Sequence, residues 1–382
     1  MAEHSMLSAS GASKWLNCTP SAVLESQFDE KPSSYADEGT LAHRLSEAYL
    51  KLYFRQKTKQ WFKKEIIEIK KSQYYDESME EYVDQYVTYV METYNTYGKN
   101  SIIFIEQTLD LSKYIPEGQG TNDVMIFSQN VLEIIDLKYG RGVPVYAEKN
   151  KQMMLYAVGS IEKFGFIYDI DIVRMSIYQP RIGNYSSWDI NAEELIIWAE
   201  QEVKPKAELA FKGLGEFVAG QHCLFCKAKP MCRANMDYQL ELAKLDFKKP
   251  DLMSDEEVSF VLERQKLFID WVGSVAEYAL EQAAKHNKKW PGVKLVEGRS
   301  NRKYLDDEKV VKRLTDAGWK LDDISTRKLL GIVAMEKLLG KITFQDILTD
   351  LLVKPQGSPA LVSVKDKRPE LNSIEQAKED FK

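Results

Sequence analysis

The 382-residue sequence predicts an α/β domain, residues 1–240, followed by a mostly helical accessory region, residues 241–382. Three observations support this reading. Residues 102–138 contain segments rich in β-branched and aromatic residues, and the last two are separated only by Gln129-Asn130. Apolar residues at helical spacing flank these strands on both sides, so helices and strands interleave. Beyond residue 240 the chain becomes highly charged with helical periodicity.

The elements follow in order. Residues 10–17 form a short amphipathic turn carrying Trp15 and Leu16, ending at Cys18-Thr19-Pro20. A helix over 37–57 repeats Leu41, Leu45, Ala48, Tyr49 and Leu52 on one face, and a second over 77–97 carries Tyr82, Val83, Tyr86, Val87 and Val90. A strand at 102–109 precedes a hairpin of 122–128 and 131–138. A helix over 147–164, a strand at 172–178 and a helix over 192–211 complete the domain. A long helix over 255–285 opens the remainder, and a charged tail begins near Lys365.

The bulk numbers narrow the function. Hydrophobic residues at 44% and charged residues at 29% give ample core for a soluble protein. No apolar run reaches membrane-spanning length, and MAEHSMLSAS lacks the regions of a signal peptide, so a cytoplasmic location is expected. A net charge of −6 argues against broad affinity for nucleic acid, so any DNA contact must be local.

The hairpin carries the chemistry. A two-residue turn sets Asp123 and Asp136 opposite each other, with Cβ atoms roughly 4.5–5.5 Å apart. Carboxylates that close repel, and a hard divalent cation removes the conflict. Lys138 shares the Asp136 face through the strand's period of two. Read alone, the group is also consistent with a polar hairpin face and an Asp136–Lys138 salt bridge. The strand around it is apolar on both faces except at Glu133, however, and charges in such a strand are costly unless paired or metal-bound. Glu106, on the preceding strand, is a weaker candidate for an additional acid.

The only cysteines are Cys18 and the Cys223-x2-Cys226-x5-Cys232 group. Four thiolates are the ligand set of one metal centre, and a disulfide framework does not suit a cytoplasmic protein. An iron–sulfur cluster and a structural Zn²⁺ both fit, and the group would close a loop of about two hundred residues.

Together these pieces resemble the RecB-type branch of the PD-(D/E)XK nucleases, particularly its iron–sulfur members such as the CRISPR adaptation nuclease and the AddAB nuclease subunit. The motifs run in that order: Cys18, EGTLAH ending at His43, GTND ending at Asp123, IIDLK with Asp136 and Lys138, QMMLY with Gln152 and Tyr156, then the three cysteines. A similarity over nearly the whole chain is to phage and prophage proteins known as a domain of unknown function, through WLNCTPS, EGTLAH, IIDLKYGRGVPVYAEKNKQMMLYA, QPR, HCLFCKAKPMCRA and WPGVKLVEGRSNRKY.

The resemblance implies a restriction-endonuclease-like mixed sheet flanked by helices. It also implies a DNA nuclease, most naturally an exonuclease, acting in phage recombination or end processing. Mg²⁺ or Mn²⁺ would be held by His43, Asp123, Asp136 and the Leu137 carbonyl, with Lys138, Gln152 and Tyr156 completing the site. Cys18, Cys223, Cys226 and Cys232 would hold a [4Fe-4S] cluster. The expected partners are DNA, single-stranded or with free ends, and a phage recombination protein or helicase. Arg141, Lys149, Lys151 and Arg181 near the site, and Lys227, Lys229 and Arg233 around the cysteines, are candidates for a phosphate track, with Arg299–Lys303 the basic candidate further on. The alternative is a DNA-binding or recombination-assembly protein with the same fold and weak catalysis.

Overall fold

Five strands form one mixed sheet in the order β1 (Ile102–Asp110), β2 (Gln119–Ser128), β3 (Val131–Leu137), β4 (Ile172–Gln179) and β5 (Asn184–Asn191). Only β3 and β4 run parallel, and the other neighbours are antiparallel. The computed structural model describes residues 6–28, 34–98, 100–241 and 254–293, with shorter stretches between 295 and 351.

Helices cover both faces of the sheet. On one face α3 (Ser34–Tyr53), α4 (Lys59–Lys70) and α5 (Glu77–Tyr97) pack against Val124, Ile126, Ile135 and Leu137. On the other, α1 (Ala12–Trp15), α6 (Lys151–Phe164), α7 (Ala192–Trp198) and α8 (Lys204–Phe211) pack against Met125, Phe127, Leu132 and Ile134. A short α2 (Ser21–Glu25) follows α1, and a π-helical turn joins α7 to α8. This is the expected α/β architecture, and β3 is covered on both sides as its apolar sequence requires. Its Ile134, Ile135 and Leu137 are fully buried, each contributing about 1.5–3 kcal/mol.

The local signals are conventional. Gln129 takes φ +51°, as the first position of a primed two-residue hairpin turn needs. The side chains of Thr58, Asp76 and Asn150 cap α4, α5 and α6. The Asn150 cap starts α6 later than the residue 147 expected, and residues 147–150 form a turn with Lys149 at φ +51°. Two elements were not foreseen. α4 is charged and largely exposed, and β5 is a polar strand at the sheet edge.

The chain divides into two compact units, Met1–His286 and Asn287–Lys382. The expected break near residue 240 therefore moves later, because α10 (Asp255–His286) contacts α9 (Arg233–Leu240). Arg264 lies 4.8 Å from the Tyr238 ring centroid, and Leu267 of α10 is buried. In the second unit the described elements include α11 (Asp307–Asp316) and α12 (Lys341–Leu348). Among the described residues no helix is long and apolar enough to cross a membrane.

Glu133 is a buried acid in the middle of β3. Its oxygens accept from Ser176 Oγ and Tyr97 Oη, each at 2.7 Å. Burial raises its proton affinity, and these bonds and the Arg174 charge only partly offset it. A carboxyl with a raised folded pKa binds more protons folded than unfolded, so stability falls as pH climbs from its unfolded value toward the folded one. Glu133→Gln removes the buried charge, keeps one hydroxyl donating to its Oε1, and lets its Nε2 donate to the other hydroxyl. The variant should therefore melt a few degrees above wild type at pH 8, with the gap closing near about pH 4. Melts across that range that stay parallel would show that Glu133 carries no such burden.

Candidate active site

The sheet registers align three carboxylates. Ile105 pairs with Val124 and Gln107 with Asn122 across β1 and β2, and Val124 pairs with Ile135 across β2 and β3. Glu106, Asp123 and Asp136 therefore stand side by side on three neighbouring strands. The regular ladder breaks at this row. Glu106 adopts φ +53°, a left-handed conformation that costs a non-glycine residue about 1–2 kcal/mol. The Leu137 N–H donates to Asp123 Oδ2 at 2.7 Å. In an extended strand a residue's N–H and C=O point to the same side, so the Leu137 carbonyl also faces β2.

Two helices complete the group from opposite faces. In α3, Leu41, Ala42 and Leu45 are buried against the sheet, and His43 stands on the shoulder of that stripe. Its Nδ1 lies 3.1 Å from Asp123 Oδ1. α6 presents Gln152 and Tyr156 one turn apart, with Gln152 Nε2 donating to Tyr156 Oη at 2.8 Å. Lys138 Nζ donates to Gln152 Oε1 at 2.8 Å and pairs with Asp136 Oδ2 at 3.0 Å. The Tyr156 ring lies on the backbone of Gly120, where a Cβ would approach it to 2.8 Å. The glycine of GTND is there because no side chain fits. The structure thus brings His43, Asp123, Asp136, Lys138, Gln152 and Tyr156 together, apart from the four cysteines.

Three acids share this group with His43 and Lys138, and burial and mutual charge set their protonation. Asp136 is 2% exposed and Asp123 9% exposed. Burial raises the Asp136 proton affinity, and Lys138 counters it only in part because Asp123 adds like charge. Burial acts the same way on Asp123, but His43, the Leu137 N–H and Lys138 outweigh it and hold the carboxyl low. Burial would lower the His43 pKa, yet Asp123, with Asp136 behind it, pushes it up to about 9. Glu106 is pushed up to about 8 by burial and then by Asp123. One ligand atom each from His43, Glu106 and Asp123 lies within 4.8 Å of the others, a grouping that does not include Asp136.

Glu106, the weaker candidate in the sequence, stands in this row. One neighbour was not evident from sequence. Tyr86, on the apolar stripe of α5, is fully buried and its hydroxyl has no hydrogen-bond partner among the described residues. After burial, the charges of Asp123, Asp136 and Glu106 do most to raise its pKa. A tyrosine on a core-facing stripe gives no sequence signal of this.

The basic residues do not form one track. Arg181 pairs with Glu38 at 2.9 Å and stacks on Tyr139, so it is committed internally. Lys151 lies over Trp198, and Lys229 donates to the Leu224 carbonyl. Arg141 and Lys149 are exposed on the segment after β3. Arg299–Lys303 lies outside the described residues.

Cys18, Cys223, Cys226 and Cys232 are free thiols lining one small cavity of about 20 Å³. Burial raises Cys18 and Cys223 and, with the Glu25 charge, pushes Cys226 up to about 12. No three of these sulfurs lie within 4.8 Å of one another. Tetrahedral Zn²⁺ holds its thiolates about 3.8 Å apart, so the described spacing is wider than a closed zinc shell.

A family model described as "Protein of unknown function (DUF2800)" matches residues 4–369. A solved structure described as "Crystal structure of SSO0001" is 12% identical, with 59% of this chain and 95% of that chain covered and a TM-score of 0.22. That likeness is too remote to bear on fold or chemistry.

Proposed function

We propose that this chain, which belongs to the DUF2800 family, is a divalent-metal-dependent DNA exonuclease of the RecB-type PD-(D/E)XK kind. The carrying observation is the buried Asp123–Asp136 pair on adjacent strands, with His43 on one side and the Lys138–Gln152–Tyr156 chain on the other. Carboxylate and imidazole donors gathered on one face suit Mg²⁺ or Mn²⁺, and the unpartnered Tyr86 hydroxyl, on which these carboxylates act most strongly among charges, is in keeping with a further occupant. His43, Asp123, Asp136 and the Leu137 carbonyl would hold the cation. When bound, the cation supplies charge neutralisation at the phosphate and a more acidic water.

The chain's own groups account for the rest. Lys138 is held by Asp136 and Gln152, so its ammonium is fixed in place and can orient the attacking water or meet charge developing on the phosphate. Gln152 cannot turn its carbonyl away without breaking its bond to Tyr156. Arg141 and Lys149, exposed on the segment after β3, would take a neighbouring phosphate. The reading extends to DNA with single strands or free ends, to phage recombination or end processing beside a recombination protein or helicase, and to the cytoplasm of a bacterial host. It also assigns the four cysteines to a [4Fe-4S] cluster, for which the thiols around the present cavity of about 20 Å³ would have to move apart.

The test is cleavage of end-labelled single- and double-stranded DNA by anaerobically purified protein in Mg²⁺ or Mn²⁺. Metal-dependent shortening, abolished in Asp136→Ala with the fold intact, is the expected result. Binding of both DNAs without cleavage would instead make the chain an assembly protein that has kept the fold.

A further inference from the structure

We propose that Glu106 is a ligand of the divalent cation, which would sit among His43, Glu106 and Asp123 and not only between Asp123 and Asp136. The inference rests on the metal-dependent reading above and extends it to a residue on a third strand. The ligand atoms of these three side chains lie within 4.8 Å of one another. A six- or higher-coordinate cation bonding oxygen at about 2.0–2.6 Å spans that spacing with small side-chain adjustments.

Three further features converge on this point. The β1–β2 register sets Glu106 directly opposite Asp123, so two acids face each other where one would suffice for a sheet. The backbone holds Glu106 at φ +53°, and strain of this sort persists where surrounding structure enforces it, often at functional sites. Among the described residues its carboxylate has no hydrogen-bonding donor, although it is half-buried. The independent observation is Tyr86. This fully buried phenol lies on the face of α5 packed against the sheet, its hydroxyl has no partner among the described residues, and after burial the three carboxylates are the charges that raise its pKa most. A cation with its waters would give that hydroxyl an oxygen to bond, which the protein alone does not supply.

Glu106→Gln keeps the side chain's size and removes its charge. Titrating Mn²⁺ into the full-length chain should give a dissociation constant at least about tenfold weaker for the variant, as expected when one carboxylate ligand is lost. Melting supplies a second readout that a purely structural role would not move. Without metal, Glu106→Gln should melt above wild type, because one of three crowded acids is neutral. With saturating Mn²⁺ the order should invert.

Undiminished Mn²⁺ affinity in Glu106→Gln, beside its loss in Asp123→Asn, would overturn the role of Glu106 and leave the nuclease reading standing. A variant melting below wild type both with and without Mn²⁺, at equal affinity, would likewise make Glu106 structural. Weakened binding in the variant, with no DNA cleavage by wild type, would uphold the ligand and sink the nuclease. Absence of Mn²⁺ binding by wild type would overturn both.

Discussion

Lys138→Met should slow DNA cleavage by about a hundred- to a thousandfold while the chain still binds Mn²⁺. The ammonium is fixed from two sides, 3.0 Å from Asp136 Oδ2 and 2.8 Å from Gln152 Oε1. It is therefore preorganised to meet charge that develops only as the phosphate is attacked, and such interactions lower the barrier instead of tightening substrate binding. Methionine preserves the stem and packing but removes the charge. The proposed cation ligands are untouched, so the loss should fall on kcat.

Stability should move differently. Without metal, Asp136 would keep a buried charge and lose its ammonium, a change that costs about 3–5 kcal/mol when a buried pair is broken. Metal-free Lys138→Met should therefore melt well below wild type, and Mn²⁺ should restore most of the difference by replacing the lost cation. Initial rates on end-labelled DNA, with melts at each Mn²⁺ concentration, check both halves. A rate within about fivefold of wild type would remove Lys138 from the chemistry.

Much of this cluster was legible because short-range geometry fixes it. A two-residue hairpin turn leaves one register, so Asp123 had to oppose Asp136. Lys138 followed from the strand's period, whereas Gln152 and Tyr156, like His43, came only from the resemblance to the RecB-type nucleases. Glu106 was harder, because residues 111–118 connect β1 to β2 without a turn that dictates register. Tyr86 was hidden by its apolar neighbours, and its role depends on where α5 settles on the sheet. Arg181 erred in the opposite direction. It reads as a phosphate ligand, but its partner Glu38 lies on an N-terminal helix that no local pattern brings to it. β5 and α4 escaped notice because each exposes most of its surface and so lacks a long apolar face.

Cys18→Ser should strip the chain of a thiolate-held group and lower its melting temperature by roughly 10 °C. Cys18 follows α1, whereas Cys223, Cys226 and Cys232 lie some two hundred residues later around the same cavity. Tying such distant segments removes conformations mainly from the unfolded chain, so the loss of stability need not be matched by a visible change in the fold. The two segments are also held without metal. Glu25 bonds both Lys14 and the Lys227 N–H at 2.7 Å, and Thr19 donates to the Leu214 carbonyl at 2.6 Å. These contacts should let the variant fold, which makes the melting shift measurable. The raised thiol pKa values mean that binding must displace protons, so metal content should fall steeply as the medium is acidified. Anaerobic wild type should be brown, with absorption at roughly 400 nm that Cys18→Ser loses. A colourless protein carrying one zinc per chain would keep the staple and change its metal. If wild type holds no metal and Cys18→Ser melts with it, the four cysteines are ordinary thiols, and the two segments are joined by the Lys14, Thr19 and Glu25 bonds and by packing of α1 and α2 on α8.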